Sequence, residues 1–353
     1  MKVGITCRDE SKVWNNGLHQ NAYNLFKLYK KLKVDVNLVS QQADSIKVFD
    51  DKIENLNENS IKKYDVILEV SEALNDNLYN YFINSGKKVV SINYGNVLMT
   101  FYEDLVIDKK NSFCFSREGV ENWISPHFYF AKGITKATSK KEAKLCPYIW
   151  SPEFLIKTSE KNNYNIFNKK YNPKKIGILE PNLSFIKNCI YPLLGCEILE
   201  RKNNEKILEI MAFNTDNIRN SKRFLEIVKG FDIFKNKKIS FEYRYNFPYL
   251  VSKEYFGLVI SNNVNNDLNY LTLESLFLNM PIIHNSHFCK DGGYFYENSF
   301  DALAISNNIE NIIDKHNDQS SEYNDKNKNV IWKFSPENPD NIKEYERLLN
   351  SIW

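Results

Sequence analysis

The sequence predicts an α/β protein built from two doubly wound domains in tandem. Three observations carry this. Short apolar runs with no wet face, such as Val66, Ile67 and Leu68 within 64–70, alternate with stretches of helical spacing. That is the pattern of βαβ units and a parallel sheet. The alternation lapses in a Lys- and Asn-rich stretch at 153–173 and then begins again. At 353 residues the chain is long for one core and comfortable for two.

In chain order, a strand at 3–7 gives way to a polar loop and then to a helix through about residue 32. Leu18, Ala22, Leu25, Leu28, Tyr29 and Leu32 face inward on it. A strand at 34–39, a polar helical stretch, a strand at 64–70, a helix at 72–85 closed by Gly86 and a strand at 88–94 follow. Short strands near 112–116, 122–125 and 145–149 complete a first domain, 1–152, before the connection at 153–173. The second domain, 174–335, holds strands at 175–179, 207–213, 239–245, 256–261 and 281–284. Its helices fall at 187–200, 221–229, 268–278 and 310–316, and a closing helix occupies 336–353.

Composition excludes several classes. The 47 basic and 44 acidic residues leave a net charge of +3, scattered rather than clustered, so there is no nucleic-acid footprint. The six cysteines form no C-x-x-C pair and read as reduced core thiols of a cytosolic protein. There is no signal peptide and no apolar run of ~18 residues to span a bilayer. Peripheral contact with the inner face of a membrane stays open.

Two features carry chemistry. The 268–278 stretch is apolar on nearly every side except at Tyr270, Thr272, Glu274 and Ser275, and Asn279-Met280-Pro281 stops it. A carboxylate in such a helix is costly without a specific polar partner, and Tyr270 lies four residues before Glu274 on the same face. Glu274 suits two ribose hydroxyls; equally, it suits backbone N–H groups at a neighbouring helix start. The second feature is polar strand ends, where open parallel sheets bind ligands. Glu180-Pro181-Asn182, Asn214-Thr215, Arg244-Tyr245-Asn246 and Ser261-Asn262-Asn263 lie there, with Lys187, Arg219, Lys222 and Arg223 nearby for a diphosphate. The plainer reading is that Asn and Lys are abundant in every loop of this chain.

The segment Leu273-Glu274-Ser275-Leu276-Phe277-Leu278-Asn279-Met280-Pro281-Ile282-Ile283 resembles the donor-site segment of GT-B glycosyltransferases, L-E-A-x-A-x-G-x-P-V-V. Their second glutamate, eight residues earlier, is Asn266 here. The whole chain also resembles a bacterial family assigned to the GT-B glycosyltransferases and known mainly as a domain of unknown function. Trp14-Asn15-Asn16-Gly17, Gln20-Asn21, Ile149-Trp150-Ser151-Pro152, Glu180-Pro181-Asn182 and Lys187 with Tyr191-Pro192 carry that resemblance. Leu268-Asn269-Tyr270, His284-Asn285-Ser286 and Gly293-Tyr294-Phe295-Tyr296 continue it in order.

The resemblance implies a GT-B fold of two Rossmann-like domains facing a central cleft. It implies a nucleotide-sugar donor in the second domain, with Glu274 on the ribose, and a glycan or lipid-linked acceptor in the first, as in cell-surface polysaccharide synthesis. No Asp-x-Asp triplet occurs, so no metal and no cofactor beyond the nucleotide-sugar are expected. An inverting reaction needs an acceptor base. His19 leads, Glu69 is second and His127 third; a surface histidine and a structural carboxylate are the competing readings of the first two. Asn16-Gly17 would let backbone approach closely, and Trp14 and Trp150 would stack on a sugar or else pack at the domain junction. His284 is read as a donor-side or structural residue. The alternatives are a nucleotide-sugar epimerase of the same fold and a non-catalytic nucleotide- or glycan-binding module.

Overall fold

A computed structural model describes residues 1–8, 17–42, 47–107 and 117–353. The chain forms two compact units, Met1–Ser151 with Lys333–Trp353, and Pro152–Trp332.

In the first unit, β1 (Lys2–Thr6), α1 (Leu18–Lys31) and β2 (Asp35–Ser40) lead to a short hairpin of β3 (Lys47–Val48) and β4 (Asp51–Asn55). Then come β5 (Val66–Glu69), α2 (Asp76–Asn84), β6 (Lys88–Asn93), α3 (Val97–Ile107), β7 (Glu121–Ile124), α4 (Lys132–Ser139) and β8 (Lys144–Leu145). The sheet order is β3-β4-β2-β1-β5-β6-β7-β8. Every pair is parallel except β3 with β4. The chain therefore starts mid-sheet, winds to one edge, and returns past β1 to the other, which is double winding. Burial of all four residues of β5 follows, since helices cover both faces of such a sheet.

Several elements depart from the sequence reading. The polar stretch expected to be helical between β2 and β5 instead supplies the β3–β4 hairpin. Val48 and Ile53 are buried while Lys47 and Lys52 face solvent, the half-wet pattern of an edge strand. Helix α3 was not anticipated, because its sequence is too uniformly apolar to show a helical stripe. The strand expected near 112–116 lies outside the described residues, as do Trp14, Asn16 and Cys114.

The second unit runs through α5 (Glu153–Lys161), β9 (Lys175–Ile178), α6 (Ile190–Lys202), β10 (Glu209–Ala212), α7 (Lys222–Val228), α8 (Asp232–Lys235) and β11 (Ile239–Phe241). It continues with α9 (Phe247–Ser252), β12 (Leu258–Ser261), α10 (Tyr270–Phe277), β13 (Ile282–His284), β14 (Tyr294–Phe295), α11 (Ala302–Lys315) and α12 (Ser320–Phe334). Its order, β11-β10-β9-β12-β13-β14, is wholly parallel. The last helix, α13 (Pro339–Asn350), packs on the first unit. There the fully buried Tyr345 donates to the Pro147 carbonyl at 2.6 Å and meets the Tyr94 hydroxyl at 2.5 Å. Its single hydrogen is then committed, so Tyr94 is the donor of that pair.

Ile176, Ile178, Leu258, Ile260 and Ile283 of the second sheet pack with Leu193, Cys196 and Leu199 of α6 and with Ile305, Ile309 and Ile312 of α11. Cys7, Cys146, Cys189, Cys196 and Cys289 are buried. No helix among the described residues is long and apolar enough to cross a membrane. The closeness of α6 and α11 depends on Gly195, where an added Cβ would lie 2.7 Å from the Ile305 Cβ. That atom belongs to a branched, rotamer-locked side chain and cannot swing aside. Gly195→Ala should therefore lower stability by about 1–3 kcal/mol through overpacking, read as a fall in Tm of several degrees. An unchanged Tm would show that the helices separate freely.

Candidate functional site

In a doubly wound sheet, the ligand crevice lies beyond the carboxyl ends of the two strands between which the winding reverses. In the second unit those strands are β9 and β12, paired with Ile178 level with Ile260. Just past β9 stands Glu180, wholly buried. Its Oε1 accepts the Ser261 hydroxyl at 2.8 Å and the Asn262 N–H at 3.0 Å, both from the end of β12, while Oε2 has no partner among the described residues. Burial pushes this carboxyl up to about 7, against the pull of the Lys187 ammonium. Lys187, on the loop between β9 and α6, has its own pKa lowered by burial, and the charge of Glu180 opposes that shift.

The surroundings form a continuous polar network. Ser261 Oγ also meets Asn263 Nδ2 at 3.1 Å and Asn269 Nδ2 at 3.4 Å. Asn269 is the N-cap of α10, its side chain accepting the Leu271 N–H. Tyr296 donates to Asn262 Oδ1 at 2.5 Å, leaving the buried Asn262 Nδ2 without a partner. Asn285 closes the far side, accepting the Asn263 N–H at 2.9 Å and donating to the Asn263 carbonyl at 2.6 Å.

Helix α10 extends from this network. Glu274 is 4% exposed, and among the described residues no hydrogen bond or ion pair reaches its carboxylate. Burial alone pushes it up to about 8. Thr272 Oγ1 and Ser275 Oγ on the same helix are also buried without partners. Three buried polar groups without protein partners on two turns of helix is far above the usual density. The helix ends at Asn279, left-handed at φ 52°, ahead of Pro281, the stop the sequence indicates.

The other expected donor residues divide. Lys187, Tyr270, Thr272 and Glu274 belong to loops and helices that follow β9 and β12. Asn182 also lies there, but its amide is occupied by backbone: it donates to the Glu180 and Asn214 carbonyls at 2.8 and 3.2 Å and accepts the Cys189 N–H at 2.9 Å. It shapes the loop, at a left-handed φ of 53°, rather than facing a ligand. Asn214 donates to the Leu179 carbonyl at 2.7 Å and keeps Oδ1 without a partner. Arg219 lies over the Tyr243 ring at 3.9 Å, beyond β10 and β11, away from the reversal point. Lys222, Arg244, Tyr245 and Asn246 are exposed on that same side, with Tyr245 stacked on Tyr249 at 5.9 Å. His284 is structural: Nε2 donates to the Gly292 carbonyl at 2.9 Å, Nδ1 accepts the Ser286 N–H at 3.2 Å, and burial holds its pKa down at about 4.

In the first unit, His19 is buried on the first turn of α1, its carbonyl reached by the Cys7 thiol at 3.8 Å. Glu69 is not free to serve as a base. Its Oε1 accepts the Leu74 N–H at 2.8 Å and the Arg117 guanidinium, and Arg117 also donates to the Leu74 carbonyl at 3.1 Å while lying 3.9 Å over the Tyr79 ring. Burial raises the pKa of Glu69 against that ion pair. The group pins the loop after β5. His127 is packed against Phe128 and Tyr148, with centroids at 3.8 and 5.5 Å. Trp150 is 1% exposed, so it is core and cannot stack on a sugar. Gly17, the N-cap of α1, takes an ordinary right-handed φ of −59°.

Sequence reasoning placed Glu180, Ser261 and Asn262 at the polar strand ends and Ser275 among the polar exceptions of the helix, but gave none of them, nor Tyr296, a role of its own. The available signal was position: the residue after the first strand of a doubly wound domain must lie beside the reversal point.

Among curated proteins, no sequence matches this chain. Solved structures match over its whole length. HepE of Anabaena, solved in complex with UDP and glucose, superposes with a TM-score of 0.58 at 10% identity, covering 99% of this chain and 100% of that one. A glycosyltransferase from Rickettsia africae ESF-5 gives 0.56 at 12% identity, covering 99% and 98%. The sucrose-phosphate synthase of Thermosynechococcus elongatus gives 0.58 at 10% identity, covering 100% and 99%. With the 3-2-1-4-5-6 strand order of the second sheet and the double winding of the eight-stranded first, these matches identify the fold as GT-B, two Rossmann-like domains. The chain itself belongs to the family described as Protein of unknown function (DUF2827), whose model matches residues 2–349.

Proposed function

We propose that the protein is a glycosyltransferase that takes a sugar from a nucleotide-sugar bound to its second unit and passes it to a glycan or lipid-linked acceptor. The observation that carries this is Glu274, a buried carboxylate without a protein partner on the helix that follows the reversal point. A ribose offers two adjacent hydroxyl donors, the complement such a carboxylate needs. The structures of HepE with UDP and with UDP-glucose support a uridine nucleotide as the first ligand to try. Lys187 supplies positive charge for a diphosphate. This reading assigns no metal to the reaction, and among the described residues no three His, Cys, Asp or Glu side chains gather as ligands. His19 is the proposed acceptor base, in preference to Glu69, which Arg117 occupies.

Thermal shifts with UDP, GDP, CMP and ADP test the donor site. One of them should stabilise the wild type, and Glu274→Ala should weaken that nucleotide at least about tenfold, the value of a charged hydrogen-bond pair. No stabilisation by any of the four would remove the reading. Turnover then separates an enzyme from a binding module. His19→Ala should reduce it by about 10²–10⁴ with donor affinity unchanged; unaltered turnover would remove His19 from the mechanism.

The free protein also carries a pH signature. The Glu274 carboxyl titrates near 8 when folded and near its ordinary 4.5 when unfolded. Between those values the folded state holds the extra proton, so stability falls as pH rises through that window. Glu274→Gln removes this contribution. Its Tm should match the wild type near pH 4.5 and exceed it increasingly toward pH 8. A constant difference across that range would show that Glu274 is not buried in this way.

A further inference from the structure

The carboxyl of Glu180 is divided between two roles. Oε1 accepts two hydrogen bonds from the end of β12, and Oε2 accepts none. This is the pattern of a carboxylic acid, whose carbonyl oxygen accepts while its hydroxyl is free to donate. The groups that face it are one cation and two weak acids. Lys187 is on the loop that follows, and Cys189 is the N-cap of α6. Tyr296, past β14, has its phenol pKa raised by burial first and by Glu180 second. No direct ion pair joins Glu180 to Lys187. An anion drawn to Lys187 at this point would meet Glu180 as a like charge unless the carboxyl took up a proton.

We infer that Glu180 is a positioning residue for the donor diphosphate, taking a proton from solvent as the nucleotide binds and donating Oε2–H to a phosphate oxygen. This rests on the nucleotide-sugar reading above. One O–H bond forms on Oε2, the proton comes from bulk water or buffer, and no group is oxidised or reduced. Ser261 and the Asn262 N–H keep their bonds to Oε1 throughout, so the strand ends need not move. Because Glu180 titrates near 7 in the free protein, the proton is half present at neutral pH and must be acquired above it.

The test is calorimetry of UDP binding, repeated in two buffers of different ionisation enthalpy, on the wild type and Glu180→Gln. Ionisation of UDP and of Glu274 is common to both proteins and cancels in the difference. The wild type should take up about half a proton more per UDP than the variant at pH 7, rising toward about one at pH 8. Glu180→Gln, neutral and able to donate, should keep UDP affinity and lose the pH dependence of that difference. Equal proton counts with binding intact would overturn the inference and leave the donor site standing. If wild-type protein binds no nucleotide, both fall together. Should Glu180→Gln fail to fold, Glu274→Gln provides a second reading: UDP at saturation should add the infrared carbonyl stretch of a protonated carboxylic acid. No added band there would also overturn the inference.

Discussion

Where β9 and β12 run side by side and the chain then leaves them in opposite directions, the sheet ends in backbone groups with no strand to pair with. Buried N–H and C=O groups must nonetheless find partners. Here side chains provide them. Glu180 takes the Asn262 N–H, Asn182 takes the Cys189 N–H and the carbonyls of Glu180 and Asn214, and Asn285 takes both backbone groups of Asn263. Short amides suit this work because each offers a donor and an acceptor within reach of neighbouring backbone. Much of the Asn content at these strand ends thus has a structural cause, and the residues left with unmet polar atoms stand out against it.

Two of those residues are carboxylates with different environments. Glu180 has donors on one oxygen and a cation nearby, and burial lifts it to about 7. Glu274 has neither, and burial lifts it to about 8. A core of Ile, Leu and Cys around α6, α11 and the second sheet supplies the apolar burial that lets the unit tolerate both. Buried groups that destabilise the free fold are a recurrent property of binding sites, because the ligand later provides the missing contacts. Glu69 makes the contrast plain. It is as buried as Glu274, but Arg117 and the Leu74 N–H meet it, and its place is structural.

How much of this was legible in the sequence follows from what each signal reports. Parallel strands buried on both faces announce themselves as apolar runs, so both sheets and the winding could be read. The β3–β4 hairpin at the sheet edge and helix α3 could not, since one is half polar and the other has no polar stripe. Glu274 was visible because a lone carboxylate in an apolar helix is anomalous whatever the tertiary structure. Glu180 was visible only as a polar strand end, because its burial is created by β12, which lies about eighty positions away in sequence and contributes Ser261 and Asn262. Trp150 and Asn182 erred the other way. Residue type suggests a ligand contact for both, whereas packing in one case and backbone bonding in the other absorb them.

The same network bears on Asn266, which replaces the glutamate of the pattern this segment resembles. Asn266 donates to Asn263 Oδ1 at 3.4 Å, Asn263 donates to Ser261 Oγ at 3.1 Å, and Ser261 donates to Glu180 Oε1 at 2.8 Å. A glutamate at 266 would set an acceptor against the Asn263 Oδ1 acceptor, break the first of these bonds and bring a second carboxylate into a chain of hydrogen bonds that already ends on one. Two carboxylates sharing a buried site cannot both ionise cheaply, so one would be forced neutral. An amide at 266 avoids that conflict and fixes the direction of every bond in the chain toward Glu180.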